Sequence, residues 1–298
     1  MSSTNQDGWT NYFTTGQALP APSSDTCFVM GNGPSLGWLT EQEKARISEC
    51  DSFAFNHYPK HRDAVGVEPT HFILIDSHDP TPEVLGDLPV LMRDDRFWSD
   101  TNLFLSSFWA ERFEGFSNPV YCVPESRWPG PGQDPQLIRA YWRPYYRWGM
   151  LIDALRFRLL EKRSGSPMPD SRLRYFWAFR LSQRPLLTQG TLSLVLNLVW
   201  LMGYRRVHLV GVDLSDGQHF YKNDERVDDY DRRFTNIDPK KEHSTAVWGA
   251  NNKTPPIQYI LGSICRLYKQ TGREIWIANP DSLPATCGAV PYRPIVTE

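Results

Sequence analysis

The chain has 298 residues, of which 40% are apolar and 22% charged, with a formal net charge of −2. That length suits one large α/β domain or two modest ones, and so even a charge balance gives no general attraction for polyanions. Five scattered cysteines (Cys27, Cys50, Cys122, Cys265, Cys287) are odd in number and lack metal-like spacing, which implies a reducing compartment and argues against a disulfide framework. Aromatic residues are numerous, with 11 Trp, 13 Tyr and 15 Phe, and part of that excess is expected to line a binding surface.

Residues 1–25 read as a flexible N-terminal tail with no basic, apolar leader, and 26–298 as a single α/β domain. From Thr26 an apolar strand runs into Gly31-Asn32-Gly33-Pro34-Ser35-Leu36. Gly31 and Gly33 permit positive φ and close backbone approach, and Pro34 suits the first helical position. Such a turn aims free amides at one point and attracts a phosphate or carboxylate there. A helix carrying Glu41, Glu43, Lys44 and Arg46 on its wet side follows. Asp51 to Asn56 and Thr70 to Asp76 read as second and third strands, each ending in a polar residue. Pro89 to Met92 and Pro119 to Val123 are weaker strand candidates.

The segment 125–184 reads as a helical insertion or lid. From Gln136 to Arg184 it carries ten Arg and one Lys against Asp153, Glu161 and Asp170, a net of +8, together with ten aromatics. Apolar residues from Ile138 to Leu159 recur at helical spacing. This surface suits a membrane headgroup, an anionic acceptor or a second copy of the chain. Nucleic acid ranks last, because no nucleic-acid fold is recognisable.

Gly190 to Met202 is apolar and helical in length, Gly203 is placed as its stop, and Arg206 to Asp213 is a buried strand. The apolar stretch from Leu192 is too short to span a bilayer, so a cytoplasmic protein, at most peripheral to the inner face of a membrane, is expected. A charged loop runs from Leu214 to Ala250. A helix from about Ile257 to Thr271 and a strand from Arg273 to Ala278 complete the chain. Strands alternating with helices predict a mostly parallel, Rossmann-like sheet with ligands gathered beyond the strands' carboxyl ends, where Asn32, Asn56 and Asp76 fall.

A dinucleotide enzyme would need a third glycine and an acid closing the second strand for the ribose hydroxyls, yet that strand closes in Asn56. No P-loop is present. The asparagines point to uncharged hydrogen bonding to a sugar, base or phosphate.

Gly31 to Leu36, Asn56, Thr188-Gln189-Gly190 opening an apolar helix, and Gly203-Tyr204 through Gly211-Val212-Asp213 together resemble the bacterial sialyltransferases of glycosyltransferase family 42. They also resemble a related group that includes pterin-pyrophosphokinase-like proteins. Asn279-Pro280-Asp281-Ser282-Leu283 is similar to the family's closing motif. The chain departs from the pattern at Ser215, where the family has a tyrosine, at Gln189, where it has a serine, and at Asp76 or Ser77, where it has an asparagine. Arg184 lies close to the family's arginine.

The resemblance implies a GT-A-like variant of the α/β fold. It implies transfer of a sialic-acid-like sugar from a CMP donor to a glycan or glycolipid hydroxyl with inversion, with the CMP sugar as substrate, no cofactor and no required metal. Gly31, Asn32, Gly33, Ser35, Asn56, Asp76, Thr188, Gln189, Gly190, Asp213 and Ser215 would bind the nucleotide. Tyr221 would stabilise the leaving phosphate and His243 would be the general base, with His219 the fallback. His208, inside a strand, reads as structural. Two other readings stay open: an ATP-dependent pyrophosphokinase-like enzyme acting on a small heterocycle, and a non-catalytic nucleotide- or glycan-binding protein.

Overall fold

A computed structural model of the chain describes residues 19–75, 85–93, 98–123, 191–215 and 257–296. The insertion 125–184, most of the charged loop, and Asp76, Thr188, Gln189, Gly190, His219, Tyr221 and His243 lie outside the described residues.

Seven strands form one sheet: β1 (Thr26–Met30), β2 (Asp51–Phe55), β3 (His71–Leu74), β4 (Asn102–Ser106), β5 (Val120–Val123), β6 (Arg206–Val210) and β7 (Glu274–Ile277). Their order is β5-β4-β3-β2-β1-β6-β7, and every pairing is parallel. The fold is α/β and Rossmann-like, as expected. β1, β2 and β3 are buried at every position, the signature of a parallel sheet covered on both faces.

Alternate side chains feed two cores. Cys27, Val29, Phe53, Ile73, Phe104 and Leu209 face α5 (Thr191–Met202) and α6 (Ile257–Gln270). Phe28, Met30, Ala54, Phe72, Leu74 and Leu103 face the opposite layer, built from α1 (Glu41–Ser48), α2 (Tyr58–Val65), α3 (Leu88–Arg93) and α4 (Ser107–Arg112). α5 is apolar nearly all round, and its Leu194, Val195, Leu196, Leu198 and Val199 are buried in the core that the sheet and α6 share. α1 opens with a reciprocal cap: the Thr40 hydroxyl accepts from the Glu43 amide, and the Glu43 carboxylate accepts from the Thr40 amide. Gly203 ends α5 at φ 98, as its placement predicted.

Three local expectations change, and three short elements lie outside the sequence reading. Pro89 to Met92 belongs to α3 and not to a strand: Leu88, Pro89 and Met92 are buried while Val90 and Leu91 face out, a one-sided helical pattern. β4, α2 and α4 carry no strong sequence signal, β4 being a short apolar run indistinguishable from buried helix by periodicity. Residues 19–25 lie along the sheet: the Ser23 amide donates to Asp51 Oδ2 at 2.7 Å, and the Asp25 carbonyl accepts from the amides of Arg205 and Arg206. Of the two freedoms expected of Gly31 and Gly33, the structure uses close backbone approach and not positive φ. No helix among the described residues is long and apolar enough to cross a membrane.

Candidate functional site

The chain leaves β1 in one direction, adding β2 to β5 outward, and then returns to place β6 on the other side of β1. The connections on the two sides therefore diverge at the carboxyl ends of β1 and β6 and leave a crevice, the place where open α/β sheets bind ligands. The Gly31–Leu36 turn and the Gly211–Ser215 segment lie together at these ends, bonded to each other.

The turn extends the β1–β6 ladder. The Gly31 amide donates to the Val210 carbonyl and the Gly33 amide to the Gly211 carbonyl, both at 2.7 Å. This approach leaves no room for side chains. A Cβ on Gly31 would lie 2.3 Å from the Gly211 oxygen, and one on Gly33 would lie 2.5 Å from Asp213 Oδ2. Gly33 itself is extended at φ −73. Close approach, and not left-handed backbone, is the reason for both glycines. Left-handed backbone falls instead on Asn56 (φ 56), Gly211 (φ 64) and Leu214 (φ 57). Asparagine tolerates that conformation, whereas a bulky leucine there is strained, and such strain clusters at ligand sites.

Pro34 opens a five-residue 3-10 helix, Pro34–Trp38, and the α-helix proper begins after Thr40. The Ser35 amide, aimed where an anion was expected, donates to Asp213 Oδ2 at 2.7 Å. The Ser35 hydroxyl donates to Asp213 Oδ1 at 2.6 Å, and Asn279 Nδ2 donates to the same oxygen at 2.7 Å. Asp213 is 4% exposed. The segment after β7 is held equally firmly: the Leu283 amide donates to the Asp213 carbonyl, the Asp281 amide to Asn279 Oδ1, and the Ser282 hydroxyl to the Asn279 carbonyl. Ser282 then caps α7 (Leu283–Thr286). Ser35 and Asp213, two expected nucleotide contacts, thus spend their polar groups on each other. Asn279 is the residue that sequence reasoning passed over as a site member. It carries the same signal as Asn32 and Asn56, a polar residue just beyond a strand's carboxyl end.

On the β2 side of the turn, Asn32 Nδ2 reaches to 3.5 Å from the Phe55 carbonyl at the end of β2. The Asn56 amide donates to the Ile73 carbonyl, which keeps its left-handed turn in the sheet. The Asn56 side chain meets the Thr191 hydroxyl, 3.3 Å from Nδ2, at the first residue of α5. Asn32, Asn56 and Thr191 therefore make a continuous uncharged polar rim across the ends of β1, β2 and α5. Ser215 is exposed at the end of the Gly211–Ser215 segment.

His208 is structural, packed between Phe28 and Trp276 with ring centroids 5.1 and 4.9 Å away. Burial, with Arg293, Arg46 and Arg206 adding to it, pushes its imidazole down to about 4. Among the described residues no group of three His, Cys, Asp or Glu is placed to hold a metal ion.

Comparison with models of protein families finds no match, and no curated protein matches. Among solved structures the chain is similar to the monofunctional alpha-2,3-sialyltransferase Cst-I from Campylobacter jejuni, at 13% identity and a TM-score of 0.43, over 93% of this chain and 82% of that one. It is also similar to sialyltransferase CST-II, solved as two variants in complex with CMP. Those similarities have 12% and 13% identity and TM-scores of 0.44 and 0.41, each over 90% of this chain and 86% of the other.

Proposed function

We propose that the protein is a glycosyltransferase that moves a sialic-acid-like sugar from a CMP donor to a hydroxyl of a glycan or glycolipid, with inversion. The observation that supports this reading is convergence. Gly31–Leu36, Asn56 and Gly211–Asp213 are far apart in sequence, their order is part of what resembles family 42, and Thr191 at the start of α5 lies beside them. All four meet at one crevice, with an uncharged rim and no carboxylate at the end of β2 to take adenosine ribose hydroxyls.

In this reading the acceptor oxygen attacks the anomeric carbon, the bond from that carbon to the CMP phosphate oxygen breaks, and the acceptor proton passes to His243. A neutral imidazole suits that step near pH 7. The Tyr221 hydroxyl donates to the phosphate as charge builds on it. Asn32 and Asn56 hold the nucleotide through groups that keep the same charge at all working pH values.

The test pairs binding with turnover. CMP should raise the melting temperature, because a ligand bound only to the native state stabilises it. His243→Ala should keep that shift and lose release of CMP from CMP-sialic acid in the presence of a glycan acceptor. A shift with ATP and magnesium in place of CMP would overturn the proposal in favour of the pyrophosphokinase-like reading.

A further inference from the structure

We infer that Asp213 is a positioning residue: its carboxylate fills the anion-accepting mouth of the Gly31–Leu36 turn, so the turn meets the uncharged nucleoside part of a ligand and turns the phosphate away. The inference rests on the nucleotide-binding reading above and assigns the turn its half of the ligand.

The Ser35 amide is the donor that an incoming phosphate would take from such a turn, and Asp213 Oδ2 holds it at 2.7 Å. The fit depends on Gly33. The space its missing side chain leaves is the space the carboxylate occupies, since a Cβ there would stand 2.5 Å from Oδ2. Ser35 Oγ and Asn279 Nδ2 complete three donors to a carboxylate that is 4% exposed.

A ligand phosphate cannot trade places with it. Removing those donors would strand a buried charge, and a second anion beside it would meet a like charge in a partly dry cleft. The clasp also ties three distant segments together: the turn, the end of β6 and the end of β7. Asn32 stands three residues before the clasped Ser35 and outside the clasp, so the clasp fixes the backbone from which Asn32 reaches toward Phe55. Asp213 thereby acts on the ligand through the position it gives Asn32, with no direct contact required.

The experiment uses the full chain as wild type, Asp213→Asn and Asn279→Ala. Titration calorimetry is run with two pairs of probes, cytidine and CMP, and adenosine and AMP. Hydrogen exchange at the Ser35 amide is followed in parallel. Asn279→Ala removes one donor and leaves the carboxylate, so the comparison stands even where Asp213→Asn does not fold.

For whichever pair the wild type binds, both variants should weaken the nucleoside and its monophosphate by the same factor, about tenfold, while the Ser35 amide exchanges faster. Asp213→Asn binding the monophosphate more tightly relative to the nucleoside would overturn the inference, because the carboxylate would then face the phosphate. Faster Ser35 exchange with both affinities unchanged would overturn it too. If the wild type binds the adenosine pair and not the cytidine pair, the cytidine donor falls, and the equal-factor comparison still decides the role of Asp213. A wild type that binds none of the four overturns both.

Discussion

The two ends of the sheet each bury an aspartate, and they bury it in opposite ways. At the carboxyl end Asp213 sits among Gly33, Ser35 and Asn279, in space left by an absent side chain. At the amino end Asp51, opening β2, sits among bulk: its Oδ2 accepts from the Tyr204 hydroxyl and from the Ser23 amide, each at 2.7 Å. Tyr204 lies 3.4 Å from His71 Nε2, and His71 Nδ1 lies 3.2 Å from Asn102 Nδ2, so the contacts run on across β3 and β4. Phe53 lies tilted against His71, with ring centroids 4.5 Å apart, and meets Tyr204 edge-on at 5.7 Å. The amino-end aspartate is enclosed by aromatic rings and closes the core. The carboxyl-end aspartate is enclosed by a turn and borders a crevice. The same side chain closes the core at one end and, in the inference drawn above, places the ligand at the other.

That contrast can be broken from either side. The largest effect is expected from Gly31→Ala, whose Cβ would meet the Gly211 carbonyl, a backbone atom with no freedom to swing away. Prying β1 from β6 should cost about 3 kcal/mol in urea unfolding, with nucleotide binding lost as well. Tyr204→Phe should cost about 2 kcal/mol, because it takes a donor from a buried carboxylate, and it should leave nucleotide affinity unchanged. A loss of affinity in that variant would erase the division of labour between the two ends.

The smallest effect is a slope with pH. Burial pushes the His71 imidazole down to about 4, with nearby Asp51 opposing the shift, so the folded protein holds it neutral where the unfolded chain would protonate it at its ordinary 6.5. The unfolded state then binds more protons between those values. The stabilisation is complete above pH 6.5 and is lost as pH falls toward 4, by up to about 1.4 kcal/mol per pH unit. Urea midpoints measured from pH 7 to pH 5 should fall, and His71→Phe should lessen the decline, leaving the share of His208, which burial also pushes down to about 4.

Much of this arrangement is legible in the amino-acid sequence. Strand β1, its turn, β2, β3, α5, β6 and β7 announce themselves by apolar runs closed by Gly, Asn or Asp, and so does the parallel sheet they build. What stays hidden depends on tertiary contact. Nothing near Gly31 or Gly33 states that the Gly211 carbonyl will press against one and the Asp213 carboxylate against the other. Positive φ is therefore a fair expectation there, and a wrong one. The Ser35 amide looks open to an anion because its partner lies far down the chain. Leu88 to Arg93 shows the same limit on a smaller scale: apolar residues with a proline suit an edge strand or a helix equally until it is known which of them are covered.

The Ser35–Asp213 bond spans 178 residues, and Thr26 of β1 pairs with Arg206 of β6. On a ribosome, β1 to β5 can assemble in order as they emerge, each strand finding a neighbour already in place. The slot beside β1 stays empty through that time, because the strand that fills it has not been made. Closing so long a loop comes late and slowly in folding. Until then one side of β1 is an unpaired edge, the surface by which nascent chains associate wrongly. The crevice is consequently among the last parts of the molecule to exist. A chain halted before Asp213 would carry the Gly31–Leu36 turn without the clasp that completes it.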